Sequence, residues 1–475
     1  MAYHLKLAMM RTEIVNPVIG NFIESIRDIG YSFEVAVADL VDNSITAGST
    51  DIAIHMVAHP ELIFSMLDNG AGMSDKELVE AMRLATRNPK EIRSKHDLGR
   101  FGLGLKTASF SQARRLTVIS KKNGSIASKM WDLDYISKED KWLLITPEEI
   151  SSIPFYEKLL ALSSGTIVCW QLIDRCDRSS ISSVINQVRK HLGLVFHRFL
   201  EGADRKAIKI NINNNSVQPF NPFNLNHPAT QQLQLEKIKV YSSDVLVQPF
   251  ILPHHSKLSQ QEYEFYATEE GYVKSQGFYL YRGNRILIYG TWWGLHKTID
   301  AHKLVRIKID IPNNMDDLWG IDVKKSIARP AEAIKNDLRR IISRVTGIGA
   351  KPFTGRGRKI EDKSIIQFWE ILPMNDDFRF AINERHPLFI DLLDTLNTQA
   401  REKLDIYLKG LQAYMPIDAI QFKLQHNPHQ LKQQSALPDS DIEGLIKKLK
   451  GAGLPEPYIN DLLKTEIFKD RKDLI

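Results

Sequence analysis

The chain has 475 residues, 43% of them hydrophobic and 25% charged, and its 63 basic and 57 acidic side chains leave a formal net charge of +6. This excludes disorder over most of the chain and leaves material for about three domains of roughly 150 residues, while a surplus so mild permits contact with nucleic acid without demanding it. Met1 to Gly20 lacks signal-peptide order, no apolar run nears a spanning helix, and Cys169 and Cys176 are too few for a disulfide framework or a zinc site, so a cytoplasmic protein off the membrane is expected.

From Glu34 to about Ile119, helical patterns alternate with short apolar runs and glycine-rich breaks, the rhythm of an α/β layer structure. Leu62–Leu67 reads as a buried strand ending at Asp68-Asn69-Gly70, and Leu116–Ser120 as a second, closed by Lys121-Lys122-Asn123-Gly124. Ile181, Val184, Ile185, Val188, Leu192, Val195 and Phe199 recur at helical spacing and end a first domain, 1–200. After Gly202 the period changes to two at Ile208, Ile210 and Ile212, with a turn at Asn213-Asn214-Asn215, which predicts a strand-rich second domain, 201–346. Gly347 to Lys359, rich in glycine and basic residues including Arg356 and Arg358, reads as a flexible linker over 347–360, and 361–475 as helices broken by Pro and Gly.

Three elements of the first domain carry chemistry. On a helix, Asp39, Asp42, Asn43 and Thr46 form one polar stripe opposite Val37, Leu40, Val41 and Ile45, so Asp39 and Asn43 can converge on one ligand. Such a stripe also suits a helix face turned to water. The second element, Asp68-Asn69-Gly70-Ala71-Gly72-Met73, places a carboxylate at a strand end beside glycines that permit a tight turn, a pattern ordinary hairpins share. The third runs from Gly99 through Arg100, Phe101, Gly102, Leu103 and Gly104 to Lys106, Thr107 and Ser109. Its glycines let backbone N–H groups approach phosphates, with a helix start behind them. Its spacing is neither that of a Walker loop nor that of a dinucleotide fold.

In this order the three elements resemble the GHKL ATPase superfamily, which includes gyrase B, MutL, MORC proteins and the ninety-kilodalton heat-shock chaperones. Leu40–Gly48 is most similar to MutL and Gly99–Ser109 to MORC. Ser164-Gly165-Thr166, on a strand-like segment, is similar to the Gly-Thr pair those families place near adenine, and as a bare pattern also fits a turn. The resemblance covers about residues 20–200 and, more loosely, the stretch to 345. It implies a Bergerat-fold α/β sandwich, a strand-rich α/β transducer domain and a helical C-terminal region, with ATP and Mg²⁺ as ligands.

Carried over by position, Asn43 would hold Mg²⁺, Asp68 would accept the adenine amino group, and Gly70, Gly72, Met73 and Thr166 would border the base. Gly99, Arg100, Phe101, Gly102, Leu103, Gly104, Lys106 and Thr107 would form the phosphate side, with Met73–Leu98 as the lid. The family usually has glutamate where Asp39 stands, four residues before the Mg²⁺ asparagine. Aspartate can serve as the base, with an arm shorter by one methylene, about 1.5 Å. Asp42 is the nearby fallback. In Trp319–Ser326, Lys325 or Lys324 would reach the γ-phosphate, and spacing alone leaves the two open.

The resemblance further implies an ATP-gated homodimer, closed through an N-terminal strap within Met1–Gly20 or built with that segment inside its own domain. It suggests a DNA-associated clamp or remodeller, in a bacterial antiviral defence setting and with a partner nuclease or other subunits. Lys447, Lys448 and Lys450 could support DNA contact or simply be solvated. The rival reading is a chaperone-like or signalling scaffold that uses ATP as a conformational ligand with little hydrolysis. Trp292 and Trp293 read as core or interface aromatics, and His254-His255 as surface histidines rather than metal ligands.

Overall fold

The computed structural model describes residues 13, 17–84, 104–176, 180–202, 206–268, 270–322, 324–325, 327–357, 365–374, 377–426, 437–451 and 455–468. The chain divides into two compact units, one of residues 1–252, 274–297 and 305–343, the other of 253–273, 298–304 and 344–475.

The first unit opens with helices α1 (Ile19–Arg27) and α2 (Phe33–Thr46) and strands β1 (Asp51–Val57) and β2 (Ile63–Asp68). Helices α3 (Asp75–Met82) and α4 (Gly104–Phe110) precede β3 (Ala113–Lys122) and β4 (Ser125–Asp132), whose turn places Asn123 and Gly124 at positive φ, as a two-residue hairpin requires. Helices α5 (Leu133–Glu139) and α6 (Tyr156–Ala161), strand β5 (Gly165–Ile173) and helices α7 (Ile181–Val195) and α8 (His197–Glu201) follow. Strands β6 (Lys209–Ile212) and β7 (Asn215–Ser216) complete a sheet in the order β4-β3-β5-β2-β1-β6-β7.

Alternation along the strands divides the sheet's two faces. Phe64, Met66, Val118, Val168 and Trp170 point into the main core with α2 and α7, while Leu67, Ile119, Ile167 and Cys169 meet the 150–162 segment on the other face. Phe64 stacks on Trp170 at 4.4 Å between ring centroids, and the Trp170 indole donates to Ser109 Oγ at 2.8 Å, which ties β5 to α4. This is the mixed α/β layering expected of the first domain.

The boundary at residue 200 is corrected by β6. It pairs in parallel with β1, Ile52 opposite Ile210, and so extends the first sheet rather than opening the second. The period-two pattern was right for a strand, but pattern alone does not say which sheet a strand joins.

The second sheet comprises β8 (Gln231–Gln232), β9 (Glu236–Val240), β10 (Ser243–Ile251), β11 (Gly277–Arg282), β12 (Arg285–Thr291) and β13 (Val305–Ile311). Its order is β12-β11-β13-β10-β8, with β9 paired to β10. Arg198 of α8 grips Asp310 of β13 at 2.6 and 3.1 Å and stacks 3.7 Å over the Tyr281 ring, which joins this sheet to the first domain. Trp292 is buried and Trp293 stacks on Phe278 at 4.9 Å, in keeping with core aromatics.

One helix, α9, runs Lys335–Gly357, so 347–357 is helical where a flexible linker was expected, and 358–360 lies outside the described residues. The buried run Leu338, Ile341, Ile342 and Val345 carries the helix forward, and each glycine costs it only about 1 kcal/mol against that packing.

The second unit is not purely helical. Strands β14 (Trp369–Met374) and β15 (Asp377–Ile382) form an antiparallel hairpin from a period-two run, Phe378, Phe380, Ile382, which the surrounding helical patterns obscured. The unit's helices at 439–451 and 456–463 enclose Ile442 and Leu462 with Ile467 and Phe468. His254 is buried and bonded to Ser256 rather than lying on the surface.

Candidate functional site

Helix α2 buries its apolar positions Val37, Leu40, Val41 and Ile45 and also two carboxylates, Asp39 at 2% and Asp42 at 1% exposure. Asn43 and Thr46 lie exposed on the same helix, so the polar stripe is split into a buried acidic half and an open amide half.

Asp39 is held from several sides. Lys325 Nζ donates to its Oδ1 at 2.9 Å, the Tyr31 hydroxyl donates to Oδ2 at 3.1 Å, and Arg285 Nη2 lies 3.8 Å from Oδ1. A Cβ placed on Gly104 would sit 3.7 Å from Oδ2, so α4 begins against that same oxygen. Tyr31 also hydrogen-bonds the Thr107 side chain, and burial followed by the charge of Asp39 holds its phenol well above the ordinary range. Asp42 Oδ2 accepts from Lys325 Nζ at 2.5 Å and lies 2.8 Å from Arg285 Nε, while its Oδ1 is buried with no hydrogen-bond partner among the described residues.

Lys324 and Lys325 go separate ways. Lys325, with a left-handed backbone at φ 56°, sends its ammonium to the acidic pair. Lys324 is tied to the carbonyls of Ile29 and Gly30 at 3.2 and 3.4 Å. Positive φ at a non-glycine residue is a small store of strain, of the kind found where a side chain must reach a fixed point.

A second cluster forms at the end of β2. Asp68, 5% exposed, accepts from Ser44 Oγ of α2 and from Gly70 N, both at 2.8 Å. Burial raises its carboxyl above the usual range, and the bonds from Gly70, Ser44 and Thr166 oppose that rise. Gly72, at φ 65°, passes so close to β3 that a Cβ would fall 1.9 Å from the Lys121 carbonyl oxygen. Gly165 meets the Asp68 carbonyl in the same way, at 2.4 Å. Thr166 pairs with Asp68 across the sheet and lies 2.9 Å from Ser120 Oγ, which accepts from Met73 N at 2.8 Å. Asp68, Gly70, Gly72, Met73 and Thr166 are therefore one structural cluster.

On the phosphate side, Lys106 is buried with its ammonium on the Ala81 carbonyl at the end of α3, 2.9 Å away, so it ties α4 to the segment where the lid was expected to begin. Thr107 joins Tyr31. Gly99, Arg100, Phe101, Gly102 and Leu103 lie outside the described residues, as do 85–98 of the expected lid, and 1–12 and 14–16 of the expected strap. Within the lid stretch, 75–82 is the helix α3, started by a capping box between Ser74 and Glu77.

No group of three or more His, Cys, Asp or Glu among the described residues could hold a metal ion. Asn43 supplies a hard, neutral amide oxygen on the open side of α2, one turn from Asp39. That suits a magnesium ion taking its remaining ligands from phosphates and water. Sequence reasoning missed Tyr31, Ser44, Ser120 and Arg285. A buried arginine at a hairpin leaves no local pattern, and serines become visible only once the strands are registered.

Residues 31–166 match the family described as histidine kinase-, DNA gyrase B-, and HSP90-like ATPase. A stretch of 109 residues is 29% identical to the ATPase morc-1 of Caenorhabditis elegans, covering 23% of this chain and 12% of that protein. The chain thus spans a small part of that relative's length. With the α/β sandwich, the strand-end carboxylate and the acidic helix in place, residues 31–166 match a GHKL-type ATPase domain, and a stretch of the chain is similar to a MORC ATPase.

Proposed function

We propose that the chain binds ATP with magnesium and hydrolyses it. Asp68 accepts from the adenine amino group, with Gly70, Gly72, Met73 and Thr166 around the base. Gly104, Lys106 and Thr107, with Gly99 to Leu103, form the phosphate side. Asp39 acts as general base toward the attacking water, and Lys325 serves the γ-phosphate. Asn43 would hold the magnesium ion, which when bound neutralises charge on the transferring phosphoryl group.

One observation carries this reading: a single helix, α2, touches both ends of the site. Ser44 binds the strand-end carboxylate Asp68, and Asp39 and Asp42 bind a lysine delivered by the second domain. Nucleotide contacts at one end can therefore bias the other through a rigid element. The test is ATP turnover by wild type, Asp39→Asn and Asp68→Asn, beside calorimetric titration with MgATP. Turnover lost in Asp39→Asn with binding kept, and binding lost in Asp68→Asn, are expected. Wild type that takes up no MgATP overturns the reading.

The protein so gated acts as a homodimeric clamp or remodeller on duplex DNA, with partner subunits and a bacterial antiviral setting. The resemblance, the surplus of +6 and the exposed Lys447 and Lys448 support this. DNA retention that falls steeply with salt tests it. The alternative, a chaperone-like ATP switch with little hydrolysis, is favoured by Lys325 sitting on both carboxylates, Asp39 and Asp42. It predicts wild-type turnover no faster than that of Asp39→Asn, together with full MgATP binding.

A further inference from the structure

The β11–β12 hairpin reaches into the catalytic helix with a residue to which no role has been given. Arg285 opens β12, is 2% exposed, and comes within 2.8 Å of Asp42 Oδ2 and 3.8 Å of Asp39 Oδ1. Its Nε–H is close to Asp42 without a hydrogen bond aligned on it, and Asp42 Oδ1 is an orphaned buried oxygen. Three residues earlier, Arg282 grips the buried Asp316 at 2.6 Å, and the Asp316 carbonyl accepts from Ile321 N at the root of the loop that carries Lys325. One rigid turn thus holds both the root of the lysine loop and the acidic pair.

Two carboxylates a helical turn apart share two cations here, and a lysine that serves the γ-phosphate must give up its place between them. We propose, building on the ATPase reading above, that Arg285 is a positioning residue for hydrolysis: it anchors Asp42 and takes over Oδ1 of Asp39 when Lys325 moves to the triphosphate. Without it, two buried carboxylates would face each other with no cation and repel, which pulls the base out of line with the attacking water. Tyr31 faces the pair through Asp39, and His191 lies near Asp42 and Arg285. Burial and Arg285 hold the His191 imidazole down at about 4, so it stays neutral at working pH and supplies no replacement charge.

Full-length wild type, Arg285→Lys and Arg285→Gln are compared for kcat and KM for ATP. In Arg285→Gln, kcat is expected to fall about tenfold or more with KM within about twofold. Arg285→Lys keeps the charge but loses the fork, so kcat recovers only in part. Wild-type kcat in both variants, whatever their melting temperatures, overturns the proposal while leaving the ATPase reading intact. If Arg285→Gln does not fold, Arg285→Lys decides: a lowered kcat supports the role, and a wild-type kcat overturns it. Wild type without any turnover overturns the ATPase reading and this inference together.

Discussion

Asp39 stands where the resemblance leads one to expect glutamate. Tyr31 donates to one of its oxygens and Lys325 to the other, so the carboxylate is held in one direction. At the other end of α2, Asp68 accepts two hydrogen bonds in a nearly closed environment. Replacing Asp68 with Asn puts an N–H where an acceptor is required and removes a charged partner, a loss of about 1.5–3 kcal/mol per hydrogen bond. We expect Asp68→Asn to weaken MgATP binding by about 10- to 100-fold in calorimetry, with the melting temperature of the nucleotide-free protein changed much less. An unchanged affinity would show that Asp68 does not touch the base.

The turn from β2 into α3 is an element whose shape is set by backbone contact. Gly72 combines positive φ with a carbonyl where a Cβ would stand, so Gly72→Ala must push the turn off β3. The expected cost is about 2–4 kcal/mol, read as a lower denaturation midpoint, together with loss of nucleotide binding. Much of this element was legible beforehand. The Asp-Asn-Gly sequence, the β2 and β3 runs, the stripe on α2 and the lysine pair were all named from local pattern. What escaped was information the chain spreads over long separations. Ser44 meets Asp68 across 24 positions and Lys325 meets Asp39 across 286, and no periodicity encodes such pairs. The same limit assigned β6 to the wrong sheet, because alternation reports a buried face but not a neighbour.

At the scale of the whole molecule, acid is expected to weaken the first unit. His197 is buried against the Leu194 carbonyl and Tyr281, and burial holds it down at about 4, below its ordinary 6.5. The unfolded chain then binds a proton that the folded chain refuses between those values. The contribution is whole above about pH 6.5 and is lost as pH falls toward 4, at up to about 1.4 kcal/mol per pH unit. Melting temperature should drop more steeply from about pH 7 to about pH 5 in wild type than in His197→Asn, and parallel curves would remove His197 from the account. The proposed clamp makes a separate prediction about assembly. Sedimentation should give a doubled mass with a non-hydrolysable ATP analogue and a single mass with ADP, and equal masses in both would rule out nucleotide gating.

The placement of β6 beside β1 bears on how this protein can be cut for expression. A recombinant piece stopped at residue 200 would strip the outer rail from β1 and bare its unsatisfied amides and carbonyls, a template for sticking to other copies and for insoluble product. A stop beyond Val217, whose N–H closes on Ile210, keeps that rail in place.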